Sequence, residues 1–572
     1  MGGGCANIFE VVLNILLSLQ DSQAKVVPLD YLGSEAFTAY RAACSASGCS
    51  NKKVGEDKWD TLIRIDFVPS LIDRLRAAGF GVHVSPELAA AGAGRARQIA
   101  LDRSAAHKRL NAMDCRPYPY QEVGIKVLAA HESFLLADSC GLGKTIQALL
   151  AIPEHAAALV VCPAVVKRNW ANECKKWRPD LEAHVLDRFA WPMPGVLAVI
   201  NYDRLPRLSE EKEGRAARPT ETCLDDLMPP PPGVCLIFDE VHYLKSNSKI
   251  GRVARGRALA RAVRAAGGRT WGLSGTPMPS NPMDLLHVLQ ALDLLKDSFT
   301  SYPNFLRLMS AKKKYWGGFS WGQAKPEAVE ALKRVMLRRL REEVLPDLPT
   351  ITYQDIEVDV SKKALKASAE AQLALLEGRV NLESVIYGTE GLGPASESVF
   401  HARRLLAEAK IPIMLDIVRE YQEEQEPLVV FSAHRAPIEA LAAVKGCITI
   451  LGDTPPEVRA ERVRGFQAGE FMTIGGGIQS AGVGITLTRA AHALEVDLSW
   501  CPSDNQQAES RICRIGQDRG ILVKRLVAPG TLDEQVAAIL SRKQQAIDKV
   551  VNAAAEKPDE VDLDRLANLG GI

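Results

Sequence analysis

The sequence has no surplus of charge of either sign. Its 572 residues include 70 basic and 69 acidic side chains, which gives a formal net charge of +1 at pH 7. Global charge therefore indicates no polyanionic partner, and a nucleic acid would have to bind a local basic surface. Apolar residues make up 47% and charged residues 24% of the chain. These values exclude a disordered chain, and the length predicts several globular domains.

Membrane-length apolar runs and paired cysteines are also missing. The apolar stretch at residues 8–19 contains Glu10 and Asn14 and is too short to cross a bilayer, so we expect no membrane contact. The 12 cysteines form no Cys-x-x-Cys pair and no zinc-finger spacing with histidine. This usage favours reduced thiols in a reducing compartment.

The sequence does contain a glycine-rich stretch, residues 137–145, which follows an apolar run and precedes a helical pattern. Such a loop points backbone N–H groups at phosphate oxygens, and the start of the helix adds a favourable dipole. An ordinary glycine turn is the alternative, because the strict phosphate-loop pattern has glycine where this chain has an aspartate. The stretch predicts a nucleotide site formed by Asp138, Gly141, Leu142, Gly143, Lys144 and Thr145.

Two side chains of this loop have specific expected roles. Lys144 can reach the β- and γ-phosphates of a nucleoside triphosphate, and the Thr145 hydroxyl can hold Mg²⁺. Upstream, Gln121 precedes the loop by a distance that would allow its amide to read an adenine edge. The predicted ligands are therefore ATP and Mg²⁺.

A second apolar run, residues 234–238, delivers two acidic residues at its end. Parallel α/β sheets place their chemistry at the carboxyl ends of strands. Asp239 is thus expected to bind Mg²⁺, and Glu240 to orient and deprotonate the attacking water. Two carboxylates at a strand end are common without function, but the order of the two motifs along the chain favours nucleotide hydrolysis.

A second series of strand patterns begins at residues 427–432, which predicts a second α/β lobe and a cleft between the two. Arg511 and Arg514 are three residues apart, so they share one face of a helix. They are expected to stabilise charge on the γ-phosphate as arginine fingers, although two arginines on a helix often form only a solvated face.

Some segments leave their role open. Residues 1–113 carry no catalytic motif and predict a small α/β module, either a cap on the next domain or a DNA-recognition module. The basic and aromatic residues at 167–177 suit a polyanion track or a solvated helix face.

The ordered motifs between residues 116 and 543 resemble the Swi/Snf-type double-stranded DNA translocases, a branch of the superfamily-two helicases. The resemblance rests on the loop at 138–145 and on the segments 239–242, 273–277, 337–349 and 507–517. It departs from the family at Ser139 and Cys140, where an acidic residue and methionine are usual, and at Cys513. Residues 481–488 are most similar to the annealing-helicase (HARP-type) branch.

The resemblance implies an α/β fold of two RecA-like lobes with parallel sheets and helical protrusions. It implies ATP-driven tracking along double-stranded or branched DNA, with Gln121 on adenine and Gln507 completing the site from the second lobe. The implied segments are an accessory module (1–113), lobe 1 (114–295), protrusions and linker (296–415), lobe 2 (416–545) and a C-terminal tail (546–572).

Other functions stay open at this point. A strand-separating DNA or RNA helicase, a DNA-binding scaffold with a vestigial ATPase and a motor subunit of a defence or repair complex would share these motifs. We expect a monomer, and the sequence names no protein partner. Richness in alanine and arginine without a basic import cluster favours a bacterial or viral cytoplasmic protein, whereas a eukaryotic source would imply the nucleus.

Overall fold

The computed structural model describes residues 14–20, 23–28, 34–46, 50–53, 59–64, 68–91, 116–208, 223–244, 252–314, 318–346, 348–377, 394–481, 485–514 and 516–555. Within these residues, no helix is both long and apolar enough to cross a membrane.

The N-terminal part forms a small mixed sheet with helices packed against it. The order of its strands is Ser50–Lys53, Trp59–Arg64, Gln23–Pro28, Asn14–Gln20 and Gly81–Val84, and only the last pair is parallel. Helices Ser34–Ala46 and Val68–Ala77 supply apolar side chains such as Leu71 and Leu75 to its core. The described residues thus form the small α/β unit that the sequence predicts here. Residues 1–13 and 92–115 of the predicted module lie outside the described part.

Lobe 1 is built on a sheet of seven parallel strands. In spatial order they are Met336–Leu337, Ser133–Leu136, Arg269–Leu273, Cys235–Asp239, Ala158–Cys162, Val196–Asn201 and Glu182–Val185. Helices cover both faces of this sheet, which explains why its central strands are continuously apolar. The helices are Pro119–Ala130, Lys144–Ala151, Lys167–Trp177, Arg252–Ala265, Pro282–Ala291, Leu295–Phe299, Tyr302–Leu308, Pro326–Lys333 and Arg341–Val344. A two-stranded hairpin, Ala311–Lys313 with Phe319–Trp321, completes the lobe.

Lobe 2 repeats the plan with six parallel strands. Their order is Ile351–Glu357, Ile521–Val527, His492–Glu495, Leu428–Ser432, Thr473–Gly477 and Cys447–Ile450. Its helices are Lys362–Leu376, Pro394–Ala409, Ile411–Glu423, Arg435–Ala442, Pro456–Ala468, Ile478–Ala481, Pro502–Glu509 and Leu532–Val550. The two parallel sheets confirm the predicted α/β fold class.

The strands divide the chain differently from the predicted segments. Met336–Leu337 pairs with Ser133–Leu136 of lobe 1, and Ile351–Glu357 pairs with Ile521–Val527 of lobe 2. Helices Lys362–Leu376 and Pro394–Ala409 pack into the core of lobe 2. Most of the segment predicted as protrusions and linker therefore lies within one lobe or the other. We propose that the boundary between the lobes falls between residues 338 and 350.

The C-terminal helix links the two lobes. It begins at Leu532 in the core of lobe 2, and its end, with Val550 and Val551, packs into the core of lobe 1. Asn552 accepts a hydrogen bond from Arg338 Nε at 2.7 Å. Residues 546–555, predicted as part of a tail, are therefore packed against lobe 1.

Candidate active site

Three neighbouring parallel strands of lobe 1 bring the predicted motifs to one edge of the sheet. The glycine-rich loop follows Ser133–Leu136, Ser274 follows Arg269–Leu273, and Asp239 ends Cys235–Asp239. Because the strands are parallel, their carboxyl ends meet at the same edge. The nucleotide loop and the two acidic residues are therefore close in space although they are about a hundred residues apart in sequence.

The shape of the loop depends on its glycines and on one carbonyl. Gly141 and Gly143 have φ angles of 89° and 73°, a left-handed conformation that glycine adopts without a Cβ clash. The carbonyl oxygen of Leu142 accepts hydrogen bonds from Tyr120 Oη at 3.3 Å and from Gln121 Nε2 at 3.2 Å. Gln147 Nε2 donates to the same oxygen at 3.2 Å. The loop is thus held open by side chains that lie behind it.

Lys144 and Thr145 open the helix that follows the loop. Lys144 Nζ donates to the carbonyl oxygens of Asp138 at 2.8 Å and Ser139 at 3.2 Å, so the ammonium folds back over its own loop. Thr145 is half-buried in the first turn. Both side chains lie where the backbone N–H groups of the helix start are unpaired, which is a general anion-binding arrangement.

Asp138 has a different environment from the predicted nucleotide contact. Its carboxylate is completely buried and forms two bonds with Arg339, Nε to Oδ1 at 2.9 Å and Nη2 to Oδ2 at 2.5 Å. Gln147 Nε2 adds a third bond at 3.1 Å. With its oxygens bonded to these partners, Asp138 supports the loop from inside the lobe, and its predicted contact with the nucleotide stays a prediction.

Gln121 likewise faces the loop. Its side-chain oxygen accepts from the backbone N–H of Tyr118 at 2.9 Å, while its Nε2 donates to Leu142 and Tyr120. The side chain is only 2% exposed. Its amide is thus already occupied, and contact with an adenine edge would require some of these bonds to break.

Asp239 is held from both sides at the strand end. Trp170 Nε1 donates to Asp239 Oδ2 at 2.7 Å, and the backbone N–H of Glu240 donates to Oδ1 at 3.0 Å. The Tyr202 hydroxyl donates to the carbonyl oxygen of Asp239 at 2.6 Å. Burial, together with the nearby Glu240 carboxylate, raises the pKa of Asp239 to about 7. A bound divalent cation would oppose that rise, because it favours the ionised carboxylate.

Glu240 combines an unusual backbone conformation with contacts to both lobes. Its φ angle is 50°, which is rare for a residue with a side chain and is typical of functional positions. Gln507 Nε2, from lobe 2, lies 3.5 Å from Glu240 Oε2, and His242 Nδ1 lies 3.4 Å from the same atom. Burial raises the pKa of Glu240, whereas the positive charges of Lys144, Arg511 and Arg514 oppose the rise.

A short polar chain extends from this site. His242 Nδ1 lies 3.0 Å from Ser274 Oγ, which also accepts from the backbone N–H of Thr276 at 3.1 Å. Ser274 therefore connects the two strand ends through a histidine that sequence reasoning did not single out.

The two lobe-2 arginines lie across the cleft from the loop. A Cβ built on Gly141 would be 3.8 Å from Arg514 Cγ, so the arginine side chain nearly touches the loop. Burial lowers the pKa of Arg511. Burial and the like charge of Arg511 lower the pKa of Arg514 to about 9, although Arg514 Nη1 donates to Ile485 O at 3.2 Å and Thr486 Oγ1 at 2.9 Å. Two adjacent buried guanidinium groups favour an anion between the lobes.

The residues present fit a nucleoside triphosphate with a magnesium ion. The loop offers backbone N–H groups and an ammonium, and lobe 2 offers two guanidinium groups whose pKa values are lowered chiefly by burial. Among the described residues, no group of three or more His, Cys, Asp or Glu side chains could hold a metal ion. Mg²⁺ commonly binds through one or two protein groups plus phosphate oxygens, and Thr145 and Asp239 fit that role.

Besides His242, sequence reasoning missed three residues that shape the site: Trp170, Tyr202 and Arg339. Trp170 lay in the basic and aromatic stretch at 167–177, and Arg339 in the segment at 337–349, but neither position showed its partner. Each contact joins residues 37 to 201 positions apart, and only the strand order brings them together. Because buried carboxylates need hydrogen-bond donors, a search for the donors to Asp239 and Asp138 identifies Trp170 and Arg339, whereas Tyr202 donates to a backbone carbonyl oxygen.

Comparisons with known proteins support the two-lobe reading. Residues 108–193 match the SNF2-related domain, and residues 409–516 match the helicase conserved C-terminal domain. Among curated relatives, the DNA annealing helicase and endonuclease ZRANB3 of Mus musculus is 30% identical over 461 residues, covering 77% of this chain and 41% of that protein. The SWI/SNF-related matrix-associated actin-dependent regulator of chromatin subfamily A-like protein 1 of Xenopus tropicalis is 27% identical over 446 residues, covering 74% and 44%.

The chain spans less than half the length of these two relatives. Among solved structures, the Sulfolobus solfataricus SWI2/SNF2 ATPase core in complex with dsDNA is 20% identical and covers 79% of this chain and 97% of that one, with a TM-score of 0.33. The fold assignment rests on the strand order given above and not on this superposition. The chain therefore carries the SNF2-related and helicase C-terminal domains expected from its resemblance to the Swi/Snf-type ATPases, and that resemblance is confirmed.

Proposed function

We propose that this chain hydrolyses ATP between its two lobes and uses the cycle to move along duplex DNA. The observation that carries the proposal is the meeting of charges from both lobes around Glu240. Lys144 approaches from lobe 1, and Arg511 and Arg514 approach from lobe 2. A triphosphate in the cleft would neutralise these cations and draw the lobes together, because its phosphates could contact the loop and the arginines at once.

The lobe-1 residues would bind and orient the substrate. The N–H groups of Gly141, Leu142 and Gly143 would cradle the phosphates, and Lys144 would leave its loop carbonyls for the β- and γ-phosphate oxygens. Thr145 and Asp239 would hold Mg²⁺, which supplies charge neutralisation to the phosphates when bound. Asp138 and Gln121 support the loop from behind. For Gln121 a contact with adenine remains a prediction that requires the amide to turn.

Glu240 and the lobe-2 side chains would act on the reaction itself. The Glu240 carboxylate would accept a proton from the attacking water, and the Gln507 amide, 3.5 Å from it, would help to orient that carboxylate. Arg511 and Arg514 would stabilise the charge that develops on the transferred phosphoryl group. Since they belong to lobe 2, hydrolysis would require the closed arrangement of the lobes.

Double-stranded DNA, bare or branched, is the partner that the relatives suggest. The mouse relative is named a DNA annealing helicase and endonuclease, which points to action on DNA that is being rejoined or remodelled. A motor of this kind contacts phosphates and not base edges, so its movement should be independent of sequence and sensitive to salt. The exposed basic face of the helix Lys167–Trp177 is a candidate contact.

The comparison with relatives also bears on the cellular location and the oligomeric state of the protein. Both named relatives are animal proteins, so the expectation of a bacterial or viral source gains no support. We propose that a eukaryotic protein with these domains acts in the nucleus as a monomer. Its protein partners stay open.

Phosphate release measured with no nucleic acid, single-stranded DNA, duplex DNA, forked DNA and RNA tests the proposal. We expect duplex or forked DNA to raise turnover several-fold over single strands and RNA. Turnover that no DNA changes would contradict the translocase, and equal turnover with RNA would favour an RNA helicase.

The competing functions have direct assays. Separation of a tailed duplex would identify a strand-separating helicase, since a translocase is expected to move without lasting unwinding. DNA binding without any phosphate release would identify a scaffold with a vestigial ATPase. The intact set of Lys144, Glu240 and Arg514 favours an active enzyme.

A further inference from the structure

A buried indole lies beside the metal-binding carboxylate without a role in the function proposed above. Trp170 is completely buried, and its Nε1 donates to Asp239 Oδ2 at 2.7 Å. The second oxygen of Asp239 accepts from the backbone N–H of Glu240 at 3.0 Å. Each carboxylate oxygen thus has one fixed donor, and its other lone pair remains to face a cation. The orientation of Asp239 depends on these two donors.

The helix that carries Trp170 has two different faces. Trp170, Cys174 and Trp177 are four and three residues apart, and all three are buried against lobe 1. Arg168, Lys175 and Lys176 lie on the exposed side. One helix therefore presents positive charge to solvent on its outer face and an indole N–H to the candidate metal ligand on its inner face.

The outer face also contacts the other lobe. Arg168 Nη1 lies 2.7 Å from Glu457 Oε1, at the start of the lobe-2 helix Pro456–Ala468, and both side chains are more than half exposed. An ion pair of such exposure contributes little to stability, so a phosphate group could replace the glutamate readily. Binding of a polyanion here would act on the same helix that holds Asp239.

We propose that Trp170 positions Asp239 for the metal ion and that the helix Lys167–Trp177 transmits duplex DNA binding to this carboxylate. The proposal rests on the proposed function, because it assigns the coupling between the DNA contact and the hydrolysis site. Trp170 is a positioning residue, since it touches the ligand of the metal and not the substrate. Hydrogen-bond partners of metal ligands commonly change metal affinity or activity by about 10–100-fold when they are removed.

The test uses two tryptophans of the same helix. Trp170→Phe removes the N–H donor and keeps an aromatic ring in the core. Trp177→Phe is the matched control, because Trp177 is also buried and also donates to a carboxylate, Glu173 Oε2 at 3.0 Å, but that carboxylate belongs to its own helix. Both variants lose the same chemical group, and only one of the losses faces Asp239.

The first measurement is the affinity of a fluorescent ADP analogue with Mg²⁺ and with EDTA. We expect Mg²⁺ to tighten binding to the unchanged chain and to Trp177→Phe equally. Trp170→Phe should lose about 10–100-fold of that gain while its affinity in EDTA stays the same. Equal gains in both variants would overturn the proposal. An equal loss in both, with equally lowered melting temperatures, would also overturn it by showing that only packing had changed.

The second measurement separates DNA binding from the stimulation of phosphate release by DNA. Trp170→Phe should bind duplex DNA as the unchanged chain does, since the outer face is intact, but duplex DNA should no longer stimulate its phosphate release. Full stimulation of Trp170→Phe would overturn the coupling. If the unchanged chain itself shows no stimulation by DNA, the proposed function fails, whereas the magnesium-dependent ADP affinity still decides whether Trp170 positions Asp239.

Discussion

The two walls of the cleft differ in how their charges are satisfied. In lobe 1, the buried Asp138 is paired with Arg339, and Lys144 donates to two carbonyl oxygens of its own loop. In lobe 2, burial lowers the pKa values of Arg511 and Arg514, whose positive charges lie close together. The lobe-1 charges are thus bonded within their own lobe, whereas an anion bound between the lobes would oppose the lowered pKa values of the lobe-2 arginines. This difference indicates that a bound nucleotide should stabilise the closed arrangement of the two lobes.

The largest effect is expected from removing the ammonium group that lobe 1 contributes to the cleft. Lys144→Ala should abolish ATP turnover, because no other lobe-1 side chain in the described site can reach the β- and γ-phosphates. Steady-state phosphate release and nucleotide affinity measure the effect. The exposed Lys445→Ala is the control and should behave as the unchanged chain. Residual turnover above about one part in a hundred would contradict the assigned role.

The next largest effect comes from removing one guanidinium group of lobe 2. Arg514→Ala should lower kcat by about 10³-fold, as for other arginine fingers, and should weaken nucleotide binding by a much smaller factor. The reason is that the arginine acts on charge that develops during the reaction. Arg542→Ala, at an exposed position of the C-terminal helix, is the control. A loss confined to KM would show that Arg514 only binds the ground state.

Asp138 tests the claim that lobe 1 is internally satisfied. Asp138→Asn leaves the fully buried Arg339 without its partner, which should lower the free energy of unfolding by about 3–5 kcal/mol. Chemical denaturation measures this, and the exposed Asp187→Asn should have no effect. If Asp138→Asn instead weakened nucleotide binding at unchanged stability, the original expectation of a ligand contact would be right.

The smallest expected effect is a pH dependence of nucleotide affinity that arises from Arg514 in lobe 2. Without nucleotide the pKa of Arg514 is about 9, and a bound phosphate should raise it because the charged form is then favoured. The affinity that Arg514 contributes is therefore fully present below pH 9 and declines as the pH rises above it. The affinity of a non-hydrolysable ATP analogue should fall by up to about 10-fold per pH unit in that range. Arg514→Ala should show no such decline.

The sequence predicted which residues lie at the edge of the lobe-1 sheet, because strand patterns and the residues that follow them are local. The glycine loop, Asp239 and Glu240 all follow apolar runs that the structure folds as neighbouring parallel strands. The contacts between side chains could not be predicted as well. Asp138 was expected at a ligand and lies buried against Arg339, 201 residues away in sequence. Such pairs depend on strand order, which no local pattern specifies.

The predicted segment boundaries differ from the strand pairing for a related reason. The two-residue strand Met336–Leu337 and the strand Ile351–Glu357 join different sheets, although only 13 residues separate them. A strand of two residues carries too few residues for a periodic signal, and both strands lie at sheet edges, where a local pattern does not specify which sheet the strand joins. A local pattern also did not show which lobe the end of the C-terminal helix packs against. The apolar contacts of Val550 and Val551 place it in the core of lobe 1.

Small-angle X-ray scattering with and without a magnesium-bound, non-hydrolysable ATP analogue tests the central claim most directly. The claim is that a triphosphate closes the lobes by pairing its phosphate groups with Arg511 and Arg514. The radius of gyration of the unchanged chain should fall when the analogue binds, and that of an Arg511→Ala, Arg514→Ala double variant should stay constant at saturating analogue. Equal compaction of the double variant would contradict the account, since closure would then need neither guanidinium group.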